Sequence, residues 1–166
     1  MTDSYRVTRI LVPVDGSEYS RYAAEHAVRL AQPHAAEVVF LHVVDEQIAA
    51  EWAESQTDDG EGRARERLLE NGRVCLRDIA RLAEERQIAH REEIAEGDPC
   101  AIICETAERE DADVIVVGRI GRRGARRILM GSITRRVIES TDRPVLVVTG
   151  PPRQRVFDAA AASEGQ

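Results

Sequence analysis

Apolar residues in this chain fall in short unbroken runs, separated by longer stretches with helical spacing. Four runs stand out: Ile10-Leu11-Val12, Val38-Val39-Phe40-Leu41, Val114-Ile115-Val116-Val117 and Val145-Leu146-Val147-Val148. Runs of this kind suit strands buried on both faces. They predict strands over 6–14, 37–43, 114–117 and 145–148, with Pro13 near the end of the first because it lacks an N–H. A weaker run over 88–95 is highly polar, which predicts a strand at a sheet edge.

Helical patterns lie between the strands. The first runs from 18 to about 31, with Tyr19, Ala23, Ala27 and Leu30 on one stripe, Ser17 as N-cap and Pro33 as the stop signal. The second spans 61–87, with Leu68, Cys75, Ile79, Leu82 and Ala83 as its apolar stripe. Gly72 interrupts it and lowers its helix propensity. The third opens at Asp98-Pro99, a cap followed by a first-turn proline, and buries Ile102, Ile103 and Ala107 up to about Arg109. The fourth begins at Gly131-Ser132 and runs to about Thr141. Residues 45–62 are acidic and irregular, and are expected to be part helix and part mobile lid; Trp52, the one tryptophan, lies among them.

Strand and helix therefore alternate through the chain. Alternation of this kind predicts an α/β fold: a five-stranded parallel sheet with helices on both faces, joined by right-handed crossovers. With strand one central, strands two and three lie to one side and strands four and five to the other, the order 3-2-1-4-5. The topological switch point then falls between strands one and four, where such sheets bind ligands. Asp15 ends strand one and Gly118 ends strand four. Residues 1–150 form one domain on this reading, and 151–166 a disordered tail.

The chemistry concentrates after strand four, in the spacing G-x2-G-x9-G-S formed by Gly118, Gly121, Gly131 and Ser132. Gly118 and Gly121 permit close ligand approach and positive φ. Gly131-Ser132 opens a helix whose unpaired N–H groups and positive dipole end favour an anion. Together these features suit a di- or triphosphate. Asp15 faces them as an acceptor for a sugar hydroxyl or a base, and the main chain near Val43 is placed to pair with an adenine edge. Eight arginines lie from Arg119 to Arg143. Arg119, Arg122, Arg123, Arg126 and Arg127 either screen phosphate charge, are solvated, or serve an anionic partner.

Bulk properties narrow the class. The chain has 166 residues and a formal charge of −7, which argues against non-specific nucleic-acid binding by the whole surface. Three cysteines show no framework spacing, so reduced thiols and a cytoplasmic protein are expected. No signal segment is expected, and no membrane span.

The sequence resembles the universal stress protein (UspA-like) family, in its ATP-binding branch, over about residues 6–149. The matching stretches are ILVPVDGSEYS, LHVVDE, EGDPCAIICETAEREDADVIVVG and GRIGRRGARRILMGSITRRVIESTDRPVLVV. The resemblance implies an adenine nucleotide alpha hydrolase-like fold and ATP as ligand, with Mg2+ as its possible companion. It implies the base near Val43 and the sugar near Asp15 and Gly118. The phosphates would lie near Gly121, Gly131, Ser132 and Ile133, with Pro13, Val14 and Arg119 completing the site. It also implies a homodimer through the last strand, Pro144–Val148, and a regulatory or stress-survival role with an unknown protein partner. Arg119-Ile120 departs from the small polar residue and His or Arg of many members; Ile120 packs over the ligand or joins the core.

Other residues keep two readings. Cys100 and Cys104, at i and i+4, read as core before metal ligands. Cys75 reads as core. His42 packs or bonds to backbone, or contacts the ligand; His26, His34 and His90 read as surface. Asp45 and Glu46 read as an exposed acidic loop before Mg2+ ligands. VDGSEYS has one glycine and no second motif, which excludes an ATP-pyrophosphatase. No reaction is assigned; a slow ATPase and a nucleotide-free scaffold with an arginine face remain the alternatives.

Overall fold

The computed structural model describes residues 6–55, 61–122 and 129–152. The element order is β1 (Arg9–Pro13), α1 (Glu18–His34), β2 (Glu37–Asp45), α2 (Glu46–Ser55), α3 (Glu61–Glu84), β3 (His90–Gly97), α4 (Pro99–Arg109), β4 (Val114–Gly118), α5 (Ser132–Ser140) and β5 (Val145–Val148). All strand pairs are parallel, and the sheet order is β3-β2-β1-β4-β5. The polar strand β3 is an edge, as its composition predicts.

Alternate residues of the strands feed two cores. On one face Ile10, Val12, Val38 and Phe40 pack with α1 (Ala23, Ala27, Val28) and α3 (Leu76, Ile79, Ala83). On the other, Leu11, Val39, Leu41 and Ile115 pack with α4 (Cys100, Ile103, Ala107) and α5 (Val137). Ile10, Leu11, Phe40 and Leu41 are fully buried, and each such side chain contributes about 1.5–3 kcal/mol by leaving water.

Several local expectations change. Pro33 does not stop α1 but sits inside its last turn. The stop is Ala35, in the left-handed region at φ 53, after which Ala36 N–H closes back on Ala31 O at 3.1 Å. Pro33 has no N–H for the carbonyl four residues earlier, so it leaves one bond of the last turn unmade without ending the helix. The acidic stretch after β2 opens as the regular helix α2, and Asp45 starts it: its Oδ1 accepts the Gln47 N–H at 2.9 Å. The lid reading of 56–60 and the tail from 153 onward lie outside the described residues, as do Arg123, Arg126 and Arg127. β3 is shifted to 90–97, and Ile88 instead packs against the core.

Gly72 does not break α3. A Cβ there would lie 2.5 Å from Cδ2 of the buried His42 ring, so the helix carries a glycine where the ring presses against it. Gly72→Ala gains about 1 kcal/mol of helix propensity. It must also displace a ring held by a buried hydrogen bond, at about 1–3 kcal/mol for overpacking and a similar amount for the bond. The second effect wins: urea denaturation should show the variant less stable by about 1–3 kcal/mol, against the gain expected at an open helical site.

Candidate functional site

β1 and β4 are tied at their starts and part at their ends. Asp113 Oδ2 accepts the N–H groups of Thr8 at 2.6 Å and Arg9 at 2.9 Å. The strands then pair at Ile10–Val114 and Leu11–Ile115, where the ladder stops. Beyond it the two carboxyl ends lead into separate loops, one through Asp15 and one through Gly118. This is the cleft of a topological switch point.

The glycines act differently from expectation. Neither Gly118 nor Gly121 has positive φ; Gly16 and Gly97 do. Gly118 is a packing position: a Cβ there would meet Tyr19 C at 2.6 Å, Tyr19 O at 2.7 Å and Ser20 N at 2.9 Å. At Gly121 a Cβ would lie 2.6 Å from Asp15 Oδ2. Close approach is thus real at both, but the approaching groups are the chain's own.

α5 presents the anion-favouring end. Its N-cap is Gly131, which makes no side-chain capping bond. By contrast Ser17 caps α1 through the Ser20 N–H, and Asp98 caps α4 through the Ala101 N–H. The first-turn N–H groups of an α-helix have no intrahelical partner, so the uncapped α5 leaves those of Ser132, Ile133 and Thr134 for other acceptors. Ser132 and Ile133 are exposed. The helix is held in place from both sides: Gly131 N–H donates to Arg119 O at 2.8 Å, and Thr134 Oγ1–H to Gly118 O at 2.9 Å. Arg136 forms two bonds to Asp98, at 3.0 and 2.9 Å.

The other candidates divide. Asp15 lies directly across from Gly121, its carboxylate accepting Ser17 N–H at 3.0 Å and Arg122 N–H at 2.9 Å. Pro13 pairs with Leu41, and Val43 with Ala95. Val14 has a core side chain, and both its backbone groups are engaged: its N–H donates to Leu41 O at 2.8 Å and its carbonyl accepts from His42 Nδ1 at 2.8 Å. Arg119 turns to the α1 side, donating to Tyr19 Oη at 3.2 Å and to Leu129 O at 3.5 Å, with its guanidinium over the Tyr19 ring. Its Nε is buried without a partner among the described residues. Ile120 is buried and belongs to the core. Of the arginine surplus, Arg136 and Arg143 pair with Asp98 and Asp111. Tyr19, Thr134 and the Arg122 N–H are site elements the sequence did not single out. Tyr19 carries the only signal, as an aromatic one turn beyond the Asp15 turn.

His42 takes the backbone-bonded role. Burial holds its pKa below the ordinary value, against opposing contributions from the Val14 carbonyl and Asp15; Arg122 adds to the lowering. The unfolded chain then binds a proton more readily than the folded one. This contribution to stability is complete above the unfolded pKa of about 6.5 and is lost as pH falls from there toward the depressed folded value. His42→Asn keeps a donor for Val14 O but does not titrate. Chemical denaturation at pH 7.5 and 5.5 should show a smaller loss on acidification for the variant than for the parent.

Burial pushes the Cys75 and Cys104 thiols up to about 11, so these two are neutral at pH 7. Cys100 is in the core. Among the described residues no group of three or more His, Cys, Asp or Glu side chains is placed to hold a metal ion. No helix among them is long and apolar enough to cross a membrane.

Residues 6–149 match the profile of the Universal stress protein family. The chain belongs to that family. It is 37% identical over 146 residues to the universal stress protein MJ0531 of Methanocaldococcus jannaschii, covering 88% of this chain and 84% of the relative. The solved structure of MJ0577, from the same organism, superposes with a TM-score of 0.75 at 30% identity, over 90% of this chain and 99% of that one. The universal stress protein of Archaeoglobus fulgidus in complex with dAMP shares the fold, with a TM-score of 0.63 at 20% identity over 86% of this chain and 98% of that one. The fold, with its strand order, is therefore that of a universal stress protein.

Proposed function

We propose that this universal stress protein binds ATP in the cleft between β1 and β4 and acts in the cytoplasm as a regulatory, stress-survival switch. The carrying observation is the uncapped N-terminus of α5, opposite the Asp15 carboxylate at the switch point. An anion meets N–H groups and the positive dipole end on one side. Asp15 has unused lone pairs for a sugar hydroxyl on the other. The triphosphate lies along Gly121, Gly131, Ser132 and Ile133, with Mg2+ as its counter-ion. The base lies toward Val43 and the sugar by Pro13, Asp15 and Gly118. The Archaeoglobus fulgidus complex with dAMP supports an adenine nucleotide as something this fold accommodates.

Nucleotide occupancy is read by a protein partner through the shape of a homodimer. β5 is the sheet edge opposite β3, and Leu146 on it is exposed, as is Ile138 on α5. An edge strand with unpaired backbone groups and apolar side chains invites pairing with a second copy. Denaturing the purified protein and analysing the supernatant tests the ligand: released adenine nucleotide supports the reading. Light scattering tests the dimer, which Leu146→Asp should dissociate. A parent protein that is monomeric at all concentrations removes that part of the proposal.

A further inference from the structure

The contact between Asp15 and the glycine loop assigns a second task to Asp15, separate from touching a ligand. Oδ1 accepts the Ser17 N–H within its own turn, and Oδ2 reaches across the cleft to the Arg122 N–H at 2.9 Å. Asp15 and Arg122 are 107 apart in sequence, and the strands that lead into their loops are not paired beyond Leu11 and Ile115. The bond therefore spans the open end of the switch point. Gly121 reports the same contact independently, since a Cβ there would lie 2.6 Å from Oδ2. The second glycine of the motif leaves room for a carboxylate of this chain.

We infer that Asp15 is the positioning residue of the glycine loop: by holding the Arg122 N–H it fixes Gly121–Arg122 against β1, and so sets how tightly the cleft holds a phosphate chain. This rests on the nucleotide reading above for its ligand, but the loop contact itself does not. A charge-assisted bond to a backbone N–H is among the stronger kinds. The loop it fixes lies beside Gly131, whose N–H is bonded to the Arg119 carbonyl, so order at Gly121–Arg122 carries to the first turn of α5. The carboxylate keeps lone pairs for a sugar hydroxyl, and the two tasks are separable by which ligand feels the loss.

The test uses the full chain and has two readouts. Amide hydrogen exchange is measured on the ligand-free protein, and binding of ATP and of adenosine is measured by calorimetry. Asp15→Ala should speed exchange at Arg122 by about tenfold or more, the worth of one such bond. It should weaken adenosine only by the loss of the sugar-hydroxyl bond, and ATP by about tenfold more than adenosine. Arg122→Pro removes the loop's N–H together with the guanidinium and fixes φ, whereas Arg122→Ala removes the guanidinium and keeps the N–H. Arg122→Pro should lose more ATP affinity than Arg122→Ala, and the Asp15→Ala/Arg122→Pro double variant should lose little beyond Asp15→Ala alone. Unchanged exchange at Arg122 in Asp15→Ala overturns the inference, as does an equal loss for ATP and adenosine. If the parent binds neither ligand, the nucleotide reading fails, and the exchange experiment alone decides the loop contact.

Discussion

Gly131→Val should abolish ATP binding, raising Kd by at least about a hundredfold, or roughly 2.7 kcal/mol, while the protein stays folded. The backbone at Gly131 is φ −67, ψ 151, an extended geometry that valine adopts readily. A Cβ would sit 3.4 Å from Arg119 O, 3.5 Å from Ile120 Cα and 3.6 Å from Gly121 N, so it is tight but tolerable. The two methyl groups beyond it have to go between the glycine loop and the first turn of α5. That is the gap through which an anion reaches the Ser132 and Ile133 N–H groups. Stability should fall by only about 1 kcal/mol, the order of a poorer N-cap residue. Calorimetry with ATP and a urea melt, done together, separate the two effects. Retained binding in this variant would place the phosphates elsewhere.

Gly118→Ala should do the reverse, harming the fold first. The atoms its Cβ would meet are Tyr19 C at 2.6 Å, Tyr19 O at 2.7 Å and Ser20 N at 2.9 Å. They are main chain in the first turn of α1, and α1 is anchored by Ala23, Ala24 and Ala27 in the core. No rotamer change relieves the clash, so β4 and α1 must separate. A loss of about 3 kcal/mol is expected, at the upper end of overpacking costs. Melting without ligand measures it. A variant as stable as the parent would show that Gly118 is kept for ligand approach instead.

These two glycines show what the sequence carries and what it does not. The apolar runs mark where the strands are, and polarity marks β3 as an edge, but β5 is an edge despite its apolar run, so strand order is not written in the runs themselves. The spacing of Gly118, Gly121, Gly131 and Ser132 marks the site for a local reason: a strand must stop and a helix must open. The neighbours that make each glycine necessary are long-range facts. Gly118 faces Tyr19, Gly121 faces Asp15 and Gly72 faces His42, and none of these pairings leaves a local signature. Arg119 looked like a phosphate ligand because it stands inside the motif, yet its side chain is drawn to Tyr19. Asp45 looked like acidic loop and is the start of α2, since a single acceptor at the right spacing is enough to cap a helix.

The switch and the loop's hold on a phosphate chain both turn on whether the cleft between β1 and β4 takes ATP. Titration calorimetry of the purified, nucleotide-stripped protein with ATP and Mg2+ tests it most directly. Saturable binding of one ATP per chain, removed by Gly131→Val, is expected. No binding at millimolar ATP, or binding that survives Gly131→Val unchanged, would contradict it.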